Sequence, residues 1–352
     1  MRILFWLIPA LFVSNIIKGQ EYGVMLDAGS TGTRLYIYER SGGAIRLLEK
    51  RRIKPGISTF STNPEGVQNY LLPLIQFAQE RLSPLTELSQ VSIKLQATGG
   101  VRALSKAEQE SVIQSAQKAL ERSGFDRPVA EVITGEQEGI YQWIALNYLR
   151  KTLGPNRQIQ KKRKSAGLIE MGGASLQVTF LKNELVQTES LDSQLYSVSY
   201  DGFGESSAWK RLGEEACKEI PLSYVQCRRF IASKLQEIRQ PKLKGEFYLV
   251  DNFEQLASLL KLRTISSGKL DKLGPSICRK SLASLKKELP LESDYYLSKI
   301  CFDTAYMSVV LEKIGFHRNR ELMATKNIEG TPLTWTLGSL YDHTVAKKLK
   351  SE

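Results

Sequence analysis

The chain has 352 residues, 42% of them hydrophobic, and a formal net charge of +12. That length allows about two domains, each with its own core, and the composition excludes a disordered or low-complexity protein. The positive charge is spread along the sequence without any nucleic-acid-binding signature, so no DNA or RNA partner is expected.

Met1-Arg2 leads into an almost wholly apolar run, Ile3 to Ile17, followed by Lys18-Gly19-Gln20. An apolar stretch shorter than the about 20 residues of a spanning helix predicts a secretory signal over 1–19. No small-x-small pattern marks a cleavage site near Gly19, which leaves an uncleaved anchor as the alternative. No later segment is apolar enough to span a bilayer. The mature protein is therefore expected to be secreted or periplasmic.

Tyr22 to Glu39 reads as strand, turn, strand, and its turn is Asp27-Ala28-Gly29-Ser30-Thr31-Gly32-Thr33-Arg34. Pro64 to Leu82 predicts a helix, and Val91 to Ala97 a strand that ends at Thr98-Gly99-Gly100-Val101-Arg102. An exposed helix over Lys106–Ser123, a strand over Val129–Ile133 and a helix over Glu138–Leu149 follow. The polar linker Gly154–Ser165 is the expected domain crossing. Its basic run, Lys161-Lys162-Arg163-Lys164, suits a solvated loop or a contact with a membrane surface or polyanion.

A second unit then repeats the first. Ala166–Ile169 leads into Glu170-Met171-Gly172-Gly173-Ala174-Ser175, and Leu176–Phe180 is the returning strand. Helices are expected over Gly204–Glu219, Ser223–Arg239, Phe253–Leu262 and Asp303–Ile314, with a strand at Tyr248–Val250. Thr334–Leu337 opens a terminal helix through Lys350. Alternation of strands and helices makes the chain α/β. Trp143 and Trp335 are expected in the core.

A strand ending in an acid, then glycines and hydroxyls, builds a phosphate loop. Its carboxylate can hold a hydrated cation, and consecutive N–H groups cradle phosphoryl oxygens. One such loop is an ordinary turn; two, each followed by an apolar run, point to a duplicated fold clamping a polyphosphate.

Cys217, Cys227, Cys278 and Cys301 match no zinc spacing. In an exported chain an even count favours two disulfides. The local pairs Cys217–Cys227 and Cys278–Cys301 are preferred among three connectivities, with free buried thiols as the alternative.

Taken in order, five blocks resemble the apyrases, the nucleoside triphosphate diphosphohydrolase family, over nearly the whole mature chain. They are the first turn, Ala97-Thr98-Gly99-Gly100-Val101-Arg102, Gly135-Glu136-Gln137-Glu138-Gly139 with Trp143 and Asn147-Tyr148-Leu149, the second turn through Gln177, and Trp335-Thr336-Leu337-Gly338. Cys301-Phe302 and Tyr306 lie upstream of the last. The chain looks like the short, secreted members found in bacteria and some parasites.

The resemblance implies two RNase H-like lobes of the actin, sugar-kinase and Hsp70 superfamily with an active site in the cleft between them. By analogy the lobes are 20–150 with 320–352, and 151–319. It also implies divalent-cation-dependent hydrolysis of nucleoside tri- and diphosphates to monophosphate and inorganic phosphate by a monomer. Glu138 matches the general base; Ser175 and Gln177 match the residues that hold water, and Thr98 supports them. Ser30, Thr31, Gly32, Thr33, Gly173 and Ala174 are the expected phosphate donors, with Arg34 and Arg102 as cations. Arg34 equally suits a structural ion pair. Asp27 and Glu170 are expected to hold magnesium or calcium, with manganese a further option, through water. Glu170 departs from the family's aspartate, and its extra methylene extends the carboxylate by about 1.5 Å. Asn252, Phe253 and Tyr306 are the candidates for the base, against core packing for the two rings. The alternatives are an exopolyphosphatase-like phosphohydrolase and a nucleotide-binding protein with impaired catalysis.

Overall fold

The computed structural model describes residues 20–42, 44–154, 158–160, 165–182, 191–217, 223–235, 238 and 240–342. The expected signal over 1–19, the basic run 161–164 and the last residues of the terminal helix lie outside them.

Apolar and β-branched residues of β1 (Glu21–Gly29) are buried on both faces, as befits a central strand. A tight turn returns the chain as β2 (Gly32–Ser41), and β3 (Ala44–Ile53) forms an edge rich in Arg and Lys. Helix α1 (Gly66–Leu82), β4 (Ser92–Ala97), the short α2 (Gly99–Arg102), α3 (Lys106–Glu121) and β5 (Asp126–Val132) complete a five-stranded sheet, ordered β3-β2-β1-β4-β5. The pairs β1–β2 and β2–β3 are antiparallel, whereas β1–β4 and β4–β5 are parallel. Helix α4 (Gly135–Leu149) follows, with Thr134 and Gln137 forming a capping box.

The second half repeats this path. Strands β6 (Gly167–Met171) and β7 (Ser175–Leu181) form a hairpin, and α5 (Leu191–Gln194) precedes β8 (Leu195–Asp201). Helices α6 (Glu205–Ala208), α7 (Glu214–Ala216) and α8 (Tyr224–Lys234) lead to β9 (Phe247–Asp251) and α9 (Asn252–Leu259). Next come β10 (Thr264–Ile265), α10 (Ser267–Cys278), α11 (Leu282–Glu288), α12 (Asp294–Ile314) and β11 (Leu322–Ala324). A small hairpin, β12 (Asn327–Ile328) with β13 (Thr331–Pro332), ends the series. The second sheet is ordered β10-β11-β9-β6-β7-β8, again two antiparallel pairs (β6–β7, β7–β8) followed by parallel neighbours (β6–β9, β9–β11). Duplication is thus visible in topology as well as in the two loops.

Each sheet has its own apolar core, and a third cluster joins them. It contains Met25, Tyr36 and Tyr38 of the first sheet, Leu168 and Val250 of the second, and Trp143 and Ile144 of α4. Leu337 and Tyr341 come from a helix over 335–342, so the fifth block is a packing element. A Cβ at Gly338 would sit 1.8 Å from the Tyr141 carbonyl, which requires glycine there. Thr336 bonds the Tyr38 hydroxyl at 2.8 Å, and Ser339 donates to Gln96 on β4 at 2.7 Å. Residues 322–324, by contrast, add a strand to the second sheet, and the path returns to the first sheet from β13, which lies against β3, and from Thr334, which bonds the Tyr38 hydroxyl. Trp143 and Trp335 are both buried. Asn147 locks α4 to the start of the second half, donating to Ala166 O and accepting from Ala166 N.

Several expected helices differ: that over Ser223–Arg239 stops at Lys234, and that over Phe253–Leu262 stops at Leu259. The expected helix over 204–219 is, in its described residues 204–217, broken into α6, a π turn over Trp209–Gly213, and α7. The Trp209 ring lies where a Gly213 side chain would stand, and packs edge-on against Phe302. Helix α12 starts nine residues before Asp303, because its first half carries polar groups that are buried among partners and so blur the apolar period. Both preferred disulfides, Cys217–Cys227 and Cys278–Cys301, are formed.

Candidate active site

The two glycine turns face each other across the cleft. In the first, Gly29 pairs with Gly32, which puts Ser30 and Thr31 at the tip. Ser30 is held between Gly56 and Gly100; a Cβ at Gly100 would lie 2.6 Å from its Cα. Across the cleft, a Cβ at Gly173 would lie 2.6 Å from Ser30 Oγ, and one at Gly99 2.9 Å from the Ala174 methyl. Only glycine permits so close an approach.

Asp27, at the end of β1, is directly opposite Arg34 on β2 and accepts from its Nη1 at 3.0 Å. Burial raises the Asp27 acid and Arg34 opposes that shift. Arg34 is thereby committed to an ion pair. Thr33 is also engaged: its N–H donates to the Tyr70 hydroxyl, and the residue is wholly buried. Gly32 is buried in the same frame, where a Cβ would lie 2.5 Å from Ile53 O. Exposed Thr31 accepts from Arg52 at 2.8 Å, a cation at the tip that the sequence reading missed.

Arg102 of α2 is the hub. Its Nη1 donates to Glu138 Oε2 at 2.9 Å and to Ile133 O, while its Nη2 donates to Ser175 Oγ at 3.1 Å and to Asp201 at 3.3 Å. One guanidinium therefore ties the first lobe to the second loop. Glu138 lies in the first turn of α4, buried, whereas Glu136 is exposed on the outer side. Burial raises the Glu138 pKa to about 7, with Arg102 working in the opposite direction. Gln177 Nε2 donates to Ser175 Oγ at 2.8 Å and to Ser199 Oγ at 3.0 Å. Thr98 is buried at the end of β4, and its N–H donates to Ala28 O, tying the second block to the first.

Glu170, on β6 opposite Gln177, is buried with Oε2 lacking a hydrogen-bond partner. Burial, and then the nearby carboxylates of Asp251, Glu138 and Asp27, push its acid well above the ordinary range. Asp251 is a further acid absent from the expected set. It ends β9 beside Met171 and has the left-handed φ of 57°, a strained conformation for an aspartate. A third strand ending in an acid, Val250-Asp251, was the available signal.

The base candidates divide. Asn252 is half-buried beside the second loop and donates to Met171 O at 2.9 Å. Phe253 is fully buried in the second core. Tyr306 is too: its ring stacks on Phe302 and its hydroxyl donates to Phe203 O. Neither ring offers a face to the cleft, so core packing replaces base stacking for both.

Comparison with known proteins now decides the assignment. Residues 15–226 and 232–352 match the GDA1/CD39 (nucleoside phosphatase) family. The chain belongs to that family. A similar protein, probable apyrase 4 of Arabidopsis thaliana, is 28% identical, with the match covering 91% of this chain and 78% of that one. Ectonucleoside triphosphate diphosphohydrolase 1 of Mus musculus is 26% identical over 92% of this chain and 81% of its own. Among solved structures, the Aquifex aeolicus Ppx/GppA family member aligns with a TM-score of 0.63 at 16% identity, over 93% and 99% of the two chains. Nucleoside triphosphate hydrolases from Neospora caninum align with a TM-score of 0.60 at 14% identity, over 94% and 93%. These structural likenesses establish the fold, that of the actin, Hsp70 and sugar-kinase proteins. Family membership carries the class of enzyme, a nucleoside phosphatase.

Proposed function

We propose that the protein hydrolyses nucleoside tri- and diphosphates to the monophosphate and inorganic phosphate, by direct attack of a water activated by Glu138. The observation carrying this reading is the Arg102 hub, where the candidate base and the candidate water-holding hydroxyl, Ser175, meet one cation.

In this reading the terminal phosphates lie between the two turns, with Ser30, Thr31, Gly173 and Ala174 as donors. Ser175 and Gln177 orient the water, and Thr98 supports them from β4. Glu138 takes the water proton as the new P–O bond forms; the bridging P–O bond breaks and its electron pair leaves with the shorter nucleotide. Arg102 stabilises charge on the transferred phosphoryl group. Arg34 acts one step back, by holding Asp27.

The donor set fits a hard divalent cation. Glu170 has a buried oxygen with no hydrogen-bond partner and feels the Asp251, Glu138 and Asp27 carboxylates, an all-oxygen set suited to a proton or to a hydrated cation. When bound through water to Asp27 and Glu170, magnesium or calcium would neutralise phosphate charge. Two disulfides support an oxidising compartment and hence export. Among the described residues, no helix is long and apolar enough to cross a membrane.

The test is phosphate release from ATP, ADP and polyphosphate with magnesium, calcium, manganese or EDTA. Cation-dependent cleavage of both nucleotides is expected. Cleavage of polyphosphate alone would overturn the nucleotide reading, and ATP binding without turnover would mark an impaired enzyme.

A further inference from the structure

A buried charged cluster outside the reaction centre has a direct line to the second phosphate loop. Lys299 and Asp303 lie one turn apart on α12, and Glu205 opens α6; their exposures are 1%, 5% and 3%. Lys299 Nζ donates to Glu205 Oε1 and sits 3.7 Å from the centre of the Tyr295 ring. Ser206 Oγ donates to the other Glu205 oxygen at 2.9 Å. Burial and then the adjoining Glu205 raise the Asp303 acid well above its usual range, and Asp303 Oδ1 is buried without a hydrogen-bond partner.

The segment that begins with Gly202 wraps the loop. Gly202 N–H donates to Ala174 O at 2.8 Å, Glu205 N–H to Gly172 O at 2.9 Å, and Ser207 N–H to Gly173 O at 3.0 Å. Contact is close enough that a Cβ at Gly204 would lie 2.4 Å from the Ala174 backbone. In a planar trans peptide the C=O and the following N–H point in opposite directions. Holding the carbonyls of Gly172 and Gly173 on this segment turns the N–H groups of Gly173 and Ala174 away from it, toward the cleft.

We propose that Lys299 is a positioning residue: through Glu205 it fixes residues 202–207 and thereby aims the Gly173 and Ala174 N–H groups at substrate phosphate. The inference deepens the proposed function and rests on it. Ordinary helix packing would be served by apolar side chains at these three positions without the desolvation cost of buried charge. The polar set instead specifies one direction for Glu205, whose own N–H carries the loop carbonyl.

The test compares Lys299→Met, Asp303→Asn and, as a packing control on the same helix bundle, Asp271→Asn. Asp271 accepts from Arg228 and Tyr224 and bonds Ser308 of α12, away from the loop. Two readouts are taken: amide exchange at Gly202, Glu205 and Ser207, and KM and kcat for ATP. In Lys299→Met, exchange at these three amides is expected to rise about tenfold and KM about tenfold, with kcat nearly kept, the mark of lost phosphate binding. Asp303→Asn, which leaves the Lys299–Glu205 pair in place, should behave as wild type. Asp271→Asn should lower Tm without either change.

Wild-type exchange and KM in Lys299→Met, whatever its Tm, would overturn the proposal, as would an Asp303→Asn variant as damaged as Lys299→Met. If the wild type cleaves no nucleotide, the functional reading fails, while the exchange arm still decides whether Lys299 holds the loop.

Discussion

The two phosphate turns share a sequence pattern and a hairpin, but their electrostatics differ. In the first, the strand-ending acid Asp27 has a resident cation, Arg34, and the tip is bordered by glycines and by Arg52. In the second, Glu170 has an unpartnered oxygen and three carboxylates nearby, while the loop carbonyls are held from behind by residues 202–207. The first turn is a charge-balanced frame. The second carries an unbalanced carboxylate, which in the proposed mechanism takes up a proton or cation, and it is also the turn that carries Ser175. The two copies of the duplicated turn thus differ in charge balance.

Removing the link between the halves should have the largest effect. Arg102→Met is expected to lower kcat/KM for ATP about 10³-fold, in line with loss of a charge-stabilising donor. Because Arg102 holds the Glu138 acid down, the acid limb of the residual activity should move to higher pH than in wild type, where the Glu138 acid, pushed up to about 7 by burial, is expected to set it. A limb that stays in place would separate Glu138 from the pH dependence.

The two acids should then part company. Glu170→Gln is expected to cost about 10²-fold in rate and to raise the cation concentration for half-activation, with Tm at alkaline pH equal to or above wild type. The sign follows from the raised acid. An unfolded glutamate releases its proton first, so the native state loses stability as pH rises, and a neutral amide avoids that loss. The Asp27 acid is raised by burial as well, but unlike Glu170 it holds a cation, so Asp27→Asn is expected to lower stability. It strands Arg34 and is expected to cost about 1–3 kcal/mol, read as a lower Tm. Equal Tm changes for the two variants would erase the distinction between the turns.

The smallest effect is expected far behind both. Tyr306→Phe should lose about 1 kcal/mol of stability through its bond to Phe203 O, and leave the ratio of rates on ATP and UTP unchanged. A changed ratio would put that ring in the base pocket after all.

What the sequence disclosed follows from the range of the interactions involved. Both turns, Glu138 on its helix and the burial of Trp143 are local patterns of strand, glycine and cap, and local patterns survive in one dimension. Asp251 and Arg52 reach the cleft only through sheet order, since β9 is placed beside β6 and β3 beside β2. Phe253 and Tyr306 could not be assigned from sequence, because an aromatic in a core and one in a cleft differ only in what packs over them. Residues 204–207 read only as the start of a helix over Gly204–Glu219, and the hold of 202–207 on the second turn depends on backbone groups that any residue supplies.

Glu138→Gln, measured against wild type for phosphate release from ATP and ADP at saturating magnesium or calcium, tests the central claim most directly. The account predicts a fall in kcat of about 10³-fold, with affinity for a non-hydrolysable triphosphate analogue largely kept. A variant that retained activity within about tenfold of wild type would contradict it, since a displaced general base is expected to cost 10²-fold or more.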